Sequence, residues 1–308
     1  MSNAPHLTRR RALAGAAALP LAAAALPAKA GAPMAGAAFA PFQRVKVGSY
    51  EVTNLLVGNR TVEGPQNIFG MNVDKETFDS VSKAAKLPTN AAQFFFTPTM
   101  VNTGAELVLF DTGVSPDGTL AALTAAGYSA DQVDIVVITH MHGDHIGGLM
   151  SGDGATFPNA RYITGQVEYD AWAAAGNENF DGKVKPLAEQ MTFIGEGGSV
   201  ASGITGMAAF GHTPGHMTYM IESDGQQLML GADFTNHYVW SLAHPDWEVK
   251  FDMDKAAAAA TRRRLLSMLA ADNIPFASYH MPWPAFGYVE TDGDGFKYIP
   301  HSYQLVLG

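Results

Sequence analysis

The amino-acid sequence predicts a layered α/β fold with sheets inside and helices outside. Short apolar runs typical of strands alternate with helical patterns in two successive sets, and no repeat of solenoid period occurs. Of the 308 residues, 47% are hydrophobic, so the chain can bury a large core and a single domain is the simplest organisation. This composition excludes a disordered chain, a collagen and a coiled coil.

The first 30 residues resemble an export signal rather than part of the fold. Residues 9–11 are three arginines, residues 12–26 are rich in Ala and Leu, and small residues at 28–30 suit a cleavage site. Paired arginines ahead of a weakly hydrophobic segment indicate the twin-arginine export route. An uncleaved membrane anchor or a low-complexity tail is the alternative.

This interpretation predicts a periplasmic or secreted protein. The apolar stretch is shorter than the roughly 20 residues that cross a bilayer, so we expect no stable membrane span. Residues 1–30 would then be the signal, residues 31–41 a linker of small residues, and residues 42–308 the folded domain.

The individual elements follow from periodicity and turn signals. A continuous β-branched run at residues 133–139 predicts a strand buried on both faces. Thr103 and Gly104 separate two apolar runs and predict a hairpin turn. Predicted strands cover residues 46–56, 97–102, 106–110, 133–139, 161–164, 206–210, 217–222, 228–230 and 275–279. Predicted helices cover residues 118–126, 166–175 and 254–271, the last with Asp254 as its N-cap.

Two further segments have ordinary structural interpretations. The Asp-Gly-Asp-Gly run at residues 292–295 lacks the later Glu of an EF-hand, so we interpret it as a hairpin turn. Three consecutive arginines at residues 262–264 lie in a predicted helix, and we expect them to form a solvated face.

Charge and cysteine content restrict the chemistry. The chain has no cysteine, so any metal must be held by histidine and carboxylate ligands, and thiol nucleophiles and disulfides are excluded. The formal net charge of −10 argues against nucleic-acid binding, because phosphate recognition needs concentrated Lys and Arg. It also argues against anionic substrates.

A dense set of potential metal ligands follows the predicted buried strand. His140, His142, Asp144 and His145 fall within six residues, and imidazole and carboxylate suit zinc and related metals where no thiolate is present. An extended backbone would place the first two side chains together, and a helical turn would redirect the next two. This spacing favours two neighbouring metals over one.

Three more candidate ligands each end a predicted strand. His212 lies in a Gly-His-Thr-Pro-Gly-His segment at residues 211–216, which follows the predicted strand at residues 206–210. Asp233 follows the predicted strand at residues 228–230, and His280 follows the one at residues 275–279. Separately, each could be a turn residue, a helix cap or a core histidine. Because strand ends are where rigid sheets present chemistry, their shared position favours one common site.

These segments together resemble the metallo-β-lactamase fold superfamily of metal-dependent hydrolases. The resemblance extends over about residues 45–305 and also includes the Leu-Val-Leu-Phe-Asp-Thr-Gly run at residues 107–113. Within the superfamily the chain is most similar to the branch of methyl parathion hydrolase and the bacterial lactonases, on residues 101–104 and 138–142. The resemblance implies an αββα sandwich with two metal ions at one edge of the sheets.

The resemblance also implies a role for each ligand. The first metal would be held by His140, His142 and His212, the second by Asp144, His145 and His280, and Asp233 would bridge them. Asp111 and His216 would orient ligands from behind, with strand-end turn residues as the alternative. We expect two divalent ions, zinc first, with manganese, iron or cobalt as alternatives.

The predicted function is a dinuclear metal-dependent hydrolase in which a metal-bridging hydroxide cleaves a neutral, hydrophobic, ester-like bond. The bond would belong to an organophosphate triester, an ester or a lactone. Asp144 and Asp233 are the predicted catalytic carboxylates. Trp172, Phe234 and Trp283 flank the ligand segments and are the predicted walls of the substrate pocket.

Other functions stay open at this point. Acyl-homoserine lactonases that quench quorum sensing commonly carry a tyrosine three residues after the bridging aspartate, where this chain has Asn236. A non-catalytic metal- or ligand-binding module is the alternative of another class. The sequence leaves open whether His237, His244 and Tyr238 line the pocket, and whether the protein is a homodimer.

Overall fold

The computed structural model describes residues 34, 36–152 and 154–303. The predicted signal at residues 1–30 lies outside the described residues, and so do residues 31–33 and 35 of the predicted linker. Among the described residues, no helix combines the length and the hydrophobicity that crossing a bilayer requires.

The described chain contains eighteen strands and six α-helices. The strands are β1 (Phe42–Val47), β2 (Tyr50–Leu55), β3 (Gly58–Glu63), β4 (Ala91–Phe96), β5 (Thr99–Asn102), β6 (Leu107–Phe110), β7 (Ile135–Ile138), β8 (Met150–Ser151), β9 (Gly154–Ala155), β10 (Arg161–Gly165), β11 (Met191–Ile194), β12 (Ser199–Ala201), β13 (Ile204–Ala208), β14 (Met217–Ser223), β15 (Gln226–Ala232), β16 (Phe276–Ser278), β17 (Phe286–Asp292) and β18 (Gly295–Pro300). The α-helices are α1 (Lys75–Ala84), α2 (Pro116–Ala125), α3 (Gly143–Ile146), α4 (Gln166–Ala175), α5 (Glu178–Lys183) and α6 (Lys255–Asp272).

Two seven-stranded sheets form the centre of the molecule. The first has the strand order β1-β2-β5-β6-β7-β10-β11, and the second runs from β12 to β18 in sequence order. A two-stranded antiparallel sheet, β3-β4, and a short hairpin, β8-β9, lie outside these sheets. The first sheet is parallel from β6 through β11, and the predicted hairpin between β5 and β6 is antiparallel, as expected from its turn.

Alternate residues of β7 explain how the layers pack. Ile135 and Val137 belong to a core that also contains side chains of the second sheet, whereas Val136 and Ile138 face the opposite way, toward α2 and α5. All four residues are buried, which confirms a strand covered on both faces. A third core lies between the second sheet and α6. The layer order is therefore helix, sheet, sheet, helix, which confirms the predicted sandwich.

Two predictions of local structure differ from the fold. The predicted strand at residues 46–56 is a hairpin, because Gly48 adopts a left-handed φ of 58° and reverses the chain between β1 and β2. The arginine run in α6 is only partly a solvated face, since Arg264 is exposed but Arg262 is fully buried. Its guanidinium donates to the carbonyl oxygens of Phe234 and Pro245 and to the Asp252 carboxylate.

Other elements follow the sequence closely. Helix α4 has the predicted bounds, and Asp254 caps α6 by accepting a hydrogen bond from the backbone N–H of Ala257 at 3.0 Å. The run at residues 292–295 is the turn between β17 and β18, as predicted.

Candidate metal centre

Four ends of strands meet at one edge of the two sheets and carry the predicted ligands. After β7, the chain passes through His140 and His142, and His142 is the N-cap residue of the short helix α3, which carries Asp144 and His145. Asp233 directly follows β15, and His280 lies two residues after β16. The sequence pattern of strands running into ligands therefore corresponds to a single location.

His212 is held in place by a close approach of the backbone. It lies in the turn between β13 and β14, where Gly211 has a φ of 124°. A Cβ on Gly211 would lie 2.2 Å from the backbone nitrogen of Ala258 in α6. Because only glycine tolerates both the torsion and the contact, the turn is fixed against α6.

The structure brings all seven predicted ligands together in three overlapping groups. The first ligand group is His140, His142 and His212, and the second ligand group is Asp144, His145 and His280. The third group joins them through His140, His145 and Asp233. Within each group, the candidate ligand atoms lie within 4.8 Å of one another.

The spacing in the first ligand group suits one metal ion. His142 Nδ1 lies 3.1 Å from His140 Nε2 and 3.0 Å from His212 Nε2. Two nitrogens on a tetrahedral zinc lie roughly 3.3 Å apart, given Zn–N bonds of about 2.0–2.1 Å. These imidazoles therefore converge at nearly the separation that coordination requires.

Asp233 stands between the two groups. One carboxylate oxygen, Oδ2, lies 3.5 Å from His212 Nε2 and 3.2 Å from His280 Nε2, and the other, Oδ1, lies 3.4 Å from His145 Nε2. Asp233 Oδ1 and His145 Nε2 are buried and have no hydrogen-bond partner among the described residues. Two buried, unpartnered ligand atoms are costly in a folded protein unless something binds them, so this donor set fits divalent metal ions.

Most of the histidine ligands are held through their second ring nitrogen. His145 Nδ1 lies 2.8 Å from Asp111 Oδ2, His212 Nδ1 lies 2.9 Å from Asp252 Oδ1, and His280 Nδ1 donates to the carbonyl oxygen of Phe95 at 2.8 Å. Each of these contacts directs Nε2 toward the centre. Such contacts are typical of metal-binding imidazoles, because they fix the ring orientation and the tautomer.

The two residues predicted to act behind the ligands both lie against the centre. Asp111 accepts hydrogen bonds from the backbone N–H and the hydroxyl of Thr139, each at 2.8 Å, besides its contact with His145. His216 Nε2 accepts a hydrogen bond from the backbone N–H of Asp233 at 3.0 Å. Asp111 therefore orients a ligand side chain, and His216 fixes the backbone of one.

Burial and neighbouring charges set the protonation of the centre. Burial, followed by the surrounding imidazoles, holds the pKa of His140 well below its ordinary value, and that of His142 at about 3. Burial opposes ionisation of Asp233, but His280 and His145 hold its pKa well below the ordinary value. Burial would lower the pKa of His280, but Asp233 and Asp144 raise it to about 10. His140 and His142 are therefore neutral, the form of imidazole that binds a cation, whereas His280 is protonated and would release its proton when a cation binds.

Sequence reasoning missed two buried carboxylates at the centre. Asp252 binds His212 on one side and Arg262 on the other. Glu168 accepts three hydrogen bonds from the segments that carry ligands and a fourth from Trp172 of its own helix. Asp252 lies in a loop without a periodic pattern, and Glu168 resembles an ordinary acidic residue of a first helical turn. Neither position carried a signal in the sequence.

A cavity of about 430 Å³ opens onto the ligands. Its floor contains His142, Asp144, Asp233 and His280. Its remaining lining is mainly apolar, and consists of Arg60, Val62, Ile68, Phe94, Phe96, Val114, Gly143, Asn236 and Phe251. Asn236 is buried, and its Oδ1 has no hydrogen-bond partner among the described residues.

The aromatic residues predicted as pocket walls do not line this cavity. Phe234 follows Asp233 but is buried in the core beside α6, where it packs against Phe276, so its prediction is wrong. Trp172 contacts the edge of His142 and donates to Glu168, and Trp283 is half-buried away from the cavity lining. The walls come instead from β3, β4 and the loop before α6, which no spacing rule connects to the ligands.

The residues whose position was open also lie elsewhere. His237 Nδ1 accepts hydrogen bonds from the backbone N–H groups of Val239 and Trp240, and so caps a π-helical turn at Tyr238–Ala243. His244 stacks on Trp247 at 4.5 Å between ring centroids. Neither of these histidines nor Tyr238 is among the residues that line the cavity.

Comparison with known families agrees with this geometry. Residues 97–273 match the model of the metallo-beta-lactamase superfamily. The chain belongs to the metallo-beta-lactamase superfamily. The matched range contains six of the seven candidate ligands, all except His280, together with Asp111, Glu168 and Asp252.

Solved structures of this superfamily resemble the chain over most of its length. AidC, a dizinc quorum-quenching lactonase in complex with its product N-hexanoyl-L-homoserine, has a TM-score of 0.78 and 26% identity, covering 85% of this chain and 98% of AidC. The hydrolase AbOPH has a TM-score of 0.78 and 24% identity, covering 87% of this chain and 99% of AbOPH. The chain is therefore a metallo-β-lactamase-fold hydrolase with lactonase structural neighbours.

One curated relative matches over a short segment. The anti-Pycsar protein Apyc1 of Paenibacillus sp. (strain J14) is 37% identical over 59 residues, which is 19% of this chain and 23% of that protein. The match thus spans about a quarter of the curated relative.

The superfamily and the dizinc neighbour both indicate divalent metal ions, and the grouped His and Asp side chains fit them.

Proposed function

We propose that the protein is a dinuclear metal-dependent hydrolase that cleaves neutral, hydrophobic, ester-like substrates. The observation that carries the proposal is a cluster of seven candidate His and Asp ligands, four of which form the floor of a mainly apolar cavity. The first ligand group would hold one ion, the second ligand group the other, and Asp233 would contact both. Zinc suits this donor set best.

Two bound ions would supply a nucleophilic water at neutral pH and would polarise the oxygen of the scissile bond. The side chains of the chain supply the rest of the chemistry. Asp144 lines the cavity, and although burial opposes its ionisation, His145 and His280 hold its pKa at about 2. It therefore stays ionised and can accept a hydrogen bond from the attacking water, which orients it.

The cavity walls support a neutral, apolar substrate. Phe94, Phe96 and Ile68 give broad hydrophobic surfaces, and Val62 and Phe251 extend them. Such surfaces bind aryl or alkyl groups and exclude water from the reacting bond. Organophosphate triesters, esters and lactones all meet these conditions.

A second candidate is an acyl-homoserine lactonase. It is supported by the 26% identity with AidC over nearly the full length of that lactonase and by the apolar cavity, which suits an acyl chain. Asn236 argues for a different substrate contact than a tyrosine would give, since an amide donates a hydrogen bond but does not ionise.

A substrate panel tests the proposal. The zinc- and manganese-loaded protein would be assayed with a neutral aryl phosphotriester, an aryl ester, a long-chain acyl-homoserine lactone and a β-lactam. We expect turnover of at least one of the first three and none of the β-lactam. Asp233→Asn should abolish most of that turnover, whereas the exposed Asp117→Asn should not.

The outcomes separate the candidates. Turnover of the lactone alone would favour the lactonase, and turnover of the phosphotriester or aryl ester would favour the broader esterase. A protein that binds metal but turns over none of the panel would contradict catalysis on ester-like bonds and favour a binding module.

A further inference from the structure

Glu168 is a buried carboxylate that the proposed reaction does not use. It is the third residue of α4 and is fully buried. Its two oxygens accept hydrogen bonds from neutral N–H and O–H donors. A carboxylate in such surroundings needs several donors to be stable, so its position is strongly constrained.

Each oxygen of Glu168 holds a different part of the metal centre. Oε1 accepts from the backbone N–H of Met141 at 2.9 Å, and Met141 lies between His140 and His142. Oε2 accepts from the Thr213 hydroxyl at 2.7 Å and the Gly215 N–H at 2.9 Å, just after His212. One carboxylate therefore connects the two segments that carry the whole first ligand group.

Close packing reinforces this connection. A Cβ on Gly215 would lie 2.1 Å from the backbone nitrogen of Glu168, so the turn after His212 presses directly against the first turn of α4. Trp172, one turn further along α4, donates from Nε1 to Glu168 Oε1 at 2.7 Å. Its ring meets the ring of His142 edge-on at 5.9 Å between centroids.

The second ligand group has separate supports. His145 is held by Asp111 at 2.8 Å, and the ring of Tyr279 lies 3.9 Å from its ring. The Tyr279 hydroxyl donates to the backbone carbonyl of Asp144 at 2.6 Å. None of these contacts passes through Glu168.

We propose that Glu168 is a positioning residue for the first metal position alone, so that altering it weakens the binding of one ion and spares the other. The inference rests on the proposed dinuclear site. Carboxylates that support metal ligands from behind typically change metal affinity by about 10- to 100-fold when replaced. Here the effect is expected to reach the first ligand group through the backbone at Met141 and Thr213.

The test is a zinc titration of metal-free protein in competition with a chromophoric chelator. Wild type should bind two ions per chain. Glu168→Gln keeps the shape but leaves two of the four donors without an acceptor, and should weaken one of the two binding constants by about 10- to 100-fold. Asp111→Asn is the matched variant on the other side and should weaken the other constant.

Cobalt substitution distinguishes the two positions. If the first metal position fills first, Glu168→Gln should change the visible absorption of the first equivalent of cobalt, and Asp111→Asn that of the second. If the second metal position fills first, the two variants should exchange these effects. Should Glu168→Gln fail to fold, Thr213→Val and Trp172→Phe each remove one donor and should produce smaller changes in the same binding constant.

Three results would decide the matter. Two unchanged constants in Glu168→Gln, or equal weakening of both, would overturn the positioning role while leaving the dinuclear site intact. Wild-type protein that binds fewer than two ions would instead contradict the proposed function itself.

Discussion

Imidazole orientation at the metal centre depends on single hydrogen bonds to oxygen. Asp111, Asp252 and the carbonyl of Phe95 each bind one ring nitrogen and leave the other to face the ligand atoms of neighbouring residues. The identity of the ligands could be predicted from the sequence because they are concentrated in short motifs. Two of these three supports could not, since Asp252 and Phe95 come from distant segments that only the fold brings near.

At the same scale, Asn236 allows a test that separates function from stability. Its amide lines the cavity and its Oδ1 is buried without a partner, which costs about 1–3 kcal/mol in a folded protein. We expect Asn236→Leu to raise the free energy of unfolding by about 1 kcal/mol. It should also lower kcat/KM by roughly 100-fold, because the amide would no longer donate to a substrate oxygen.

Chemical denaturation and steady-state kinetics on the metal-loaded protein measure both effects. Asn54→Leu is the control, because both polar atoms of the Asn54 side chain have partners. Its amide nitrogen donates to Pro284 O at 2.9 Å, and its oxygen accepts from the Thr99 hydroxyl at 2.7 Å. Asn54→Leu should destabilise the fold. An Asn236→Leu protein with reduced stability and undiminished kcat/KM would show that Asn236 is only structural.

Helix α6 connects separate parts of the centre through one side chain. Arg262 binds the carbonyl next to Asp233 and the carboxylate of Asp252, which in turn holds His212. The neighbouring Arg263 forms a surface ion pair with Asp246, and Arg264 is exposed. Helical periodicity, rather than charge, decides which arginine of the run faces inward.

We predict that Arg262→Met destabilises the protein by about 3–5 kcal/mol, because it leaves the buried Asp252 carboxylate without its cation. Arg264→Met, on the same helix, should change the unfolding free energy by less than about 0.5 kcal/mol. Thermal unfolding of both variants measures the difference. Equal effects of the two substitutions would contradict the assigned role of Arg262.

The π-helical turn at Tyr238–Ala243 predicts a pH dependence. Burial lowers the pKa of His237 from its ordinary value to about 3, and its Nδ1 must be unprotonated to accept two backbone N–H bonds. The unfolded chain therefore binds the proton more readily than the folded chain. The stability from neutral His237 is complete above about pH 6.5 and is lost as the pH falls toward 3.

Between pH 7 and pH 5.5 this linkage should cost roughly 1 kcal/mol of unfolding free energy. His237→Asn can still cap the turn but does not titrate, so it should reduce the loss by that amount. Denaturant unfolding at the two pH values compares the variant with wild type. Identical pH dependence in both proteins would exclude His237 as its source.

Over the whole molecule, the central strands were the most predictable part. β6 and β7 are continuous apolar runs because the second sheet covers one face of β7 and helices cover the other, and the candidate ligands follow the end of β7. The two-stranded sheet β3-β4, which forms part of the cavity wall, could not be predicted. Only Val62 and Gly58 of β3 are partly shielded and its other residues are exposed, so it lacks a hydrophobic period.

The predicted pocket residues Trp172, Phe234 and Trp283 do not line the cavity, whereas the seven predicted ligands lie together. A residue next to a ligand in the sequence does not necessarily face the same cavity. Phe234 directly follows Asp233, but its side chain is buried in the core beside α6. Export by the twin-arginine route stays a prediction, which detection of the mature protein in a periplasmic fraction would check.

The central claim is that catalysis requires two divalent ions held by this His and Asp set. Its most direct test is the titration of metal-free protein with zinc while hydrolysis of a neutral aryl ester or phosphotriester is followed. This requirement predicts that turnover rises until two equivalents of zinc per chain are bound and then levels off. A plateau at one equivalent, or full turnover in the presence of excess chelator, would contradict it.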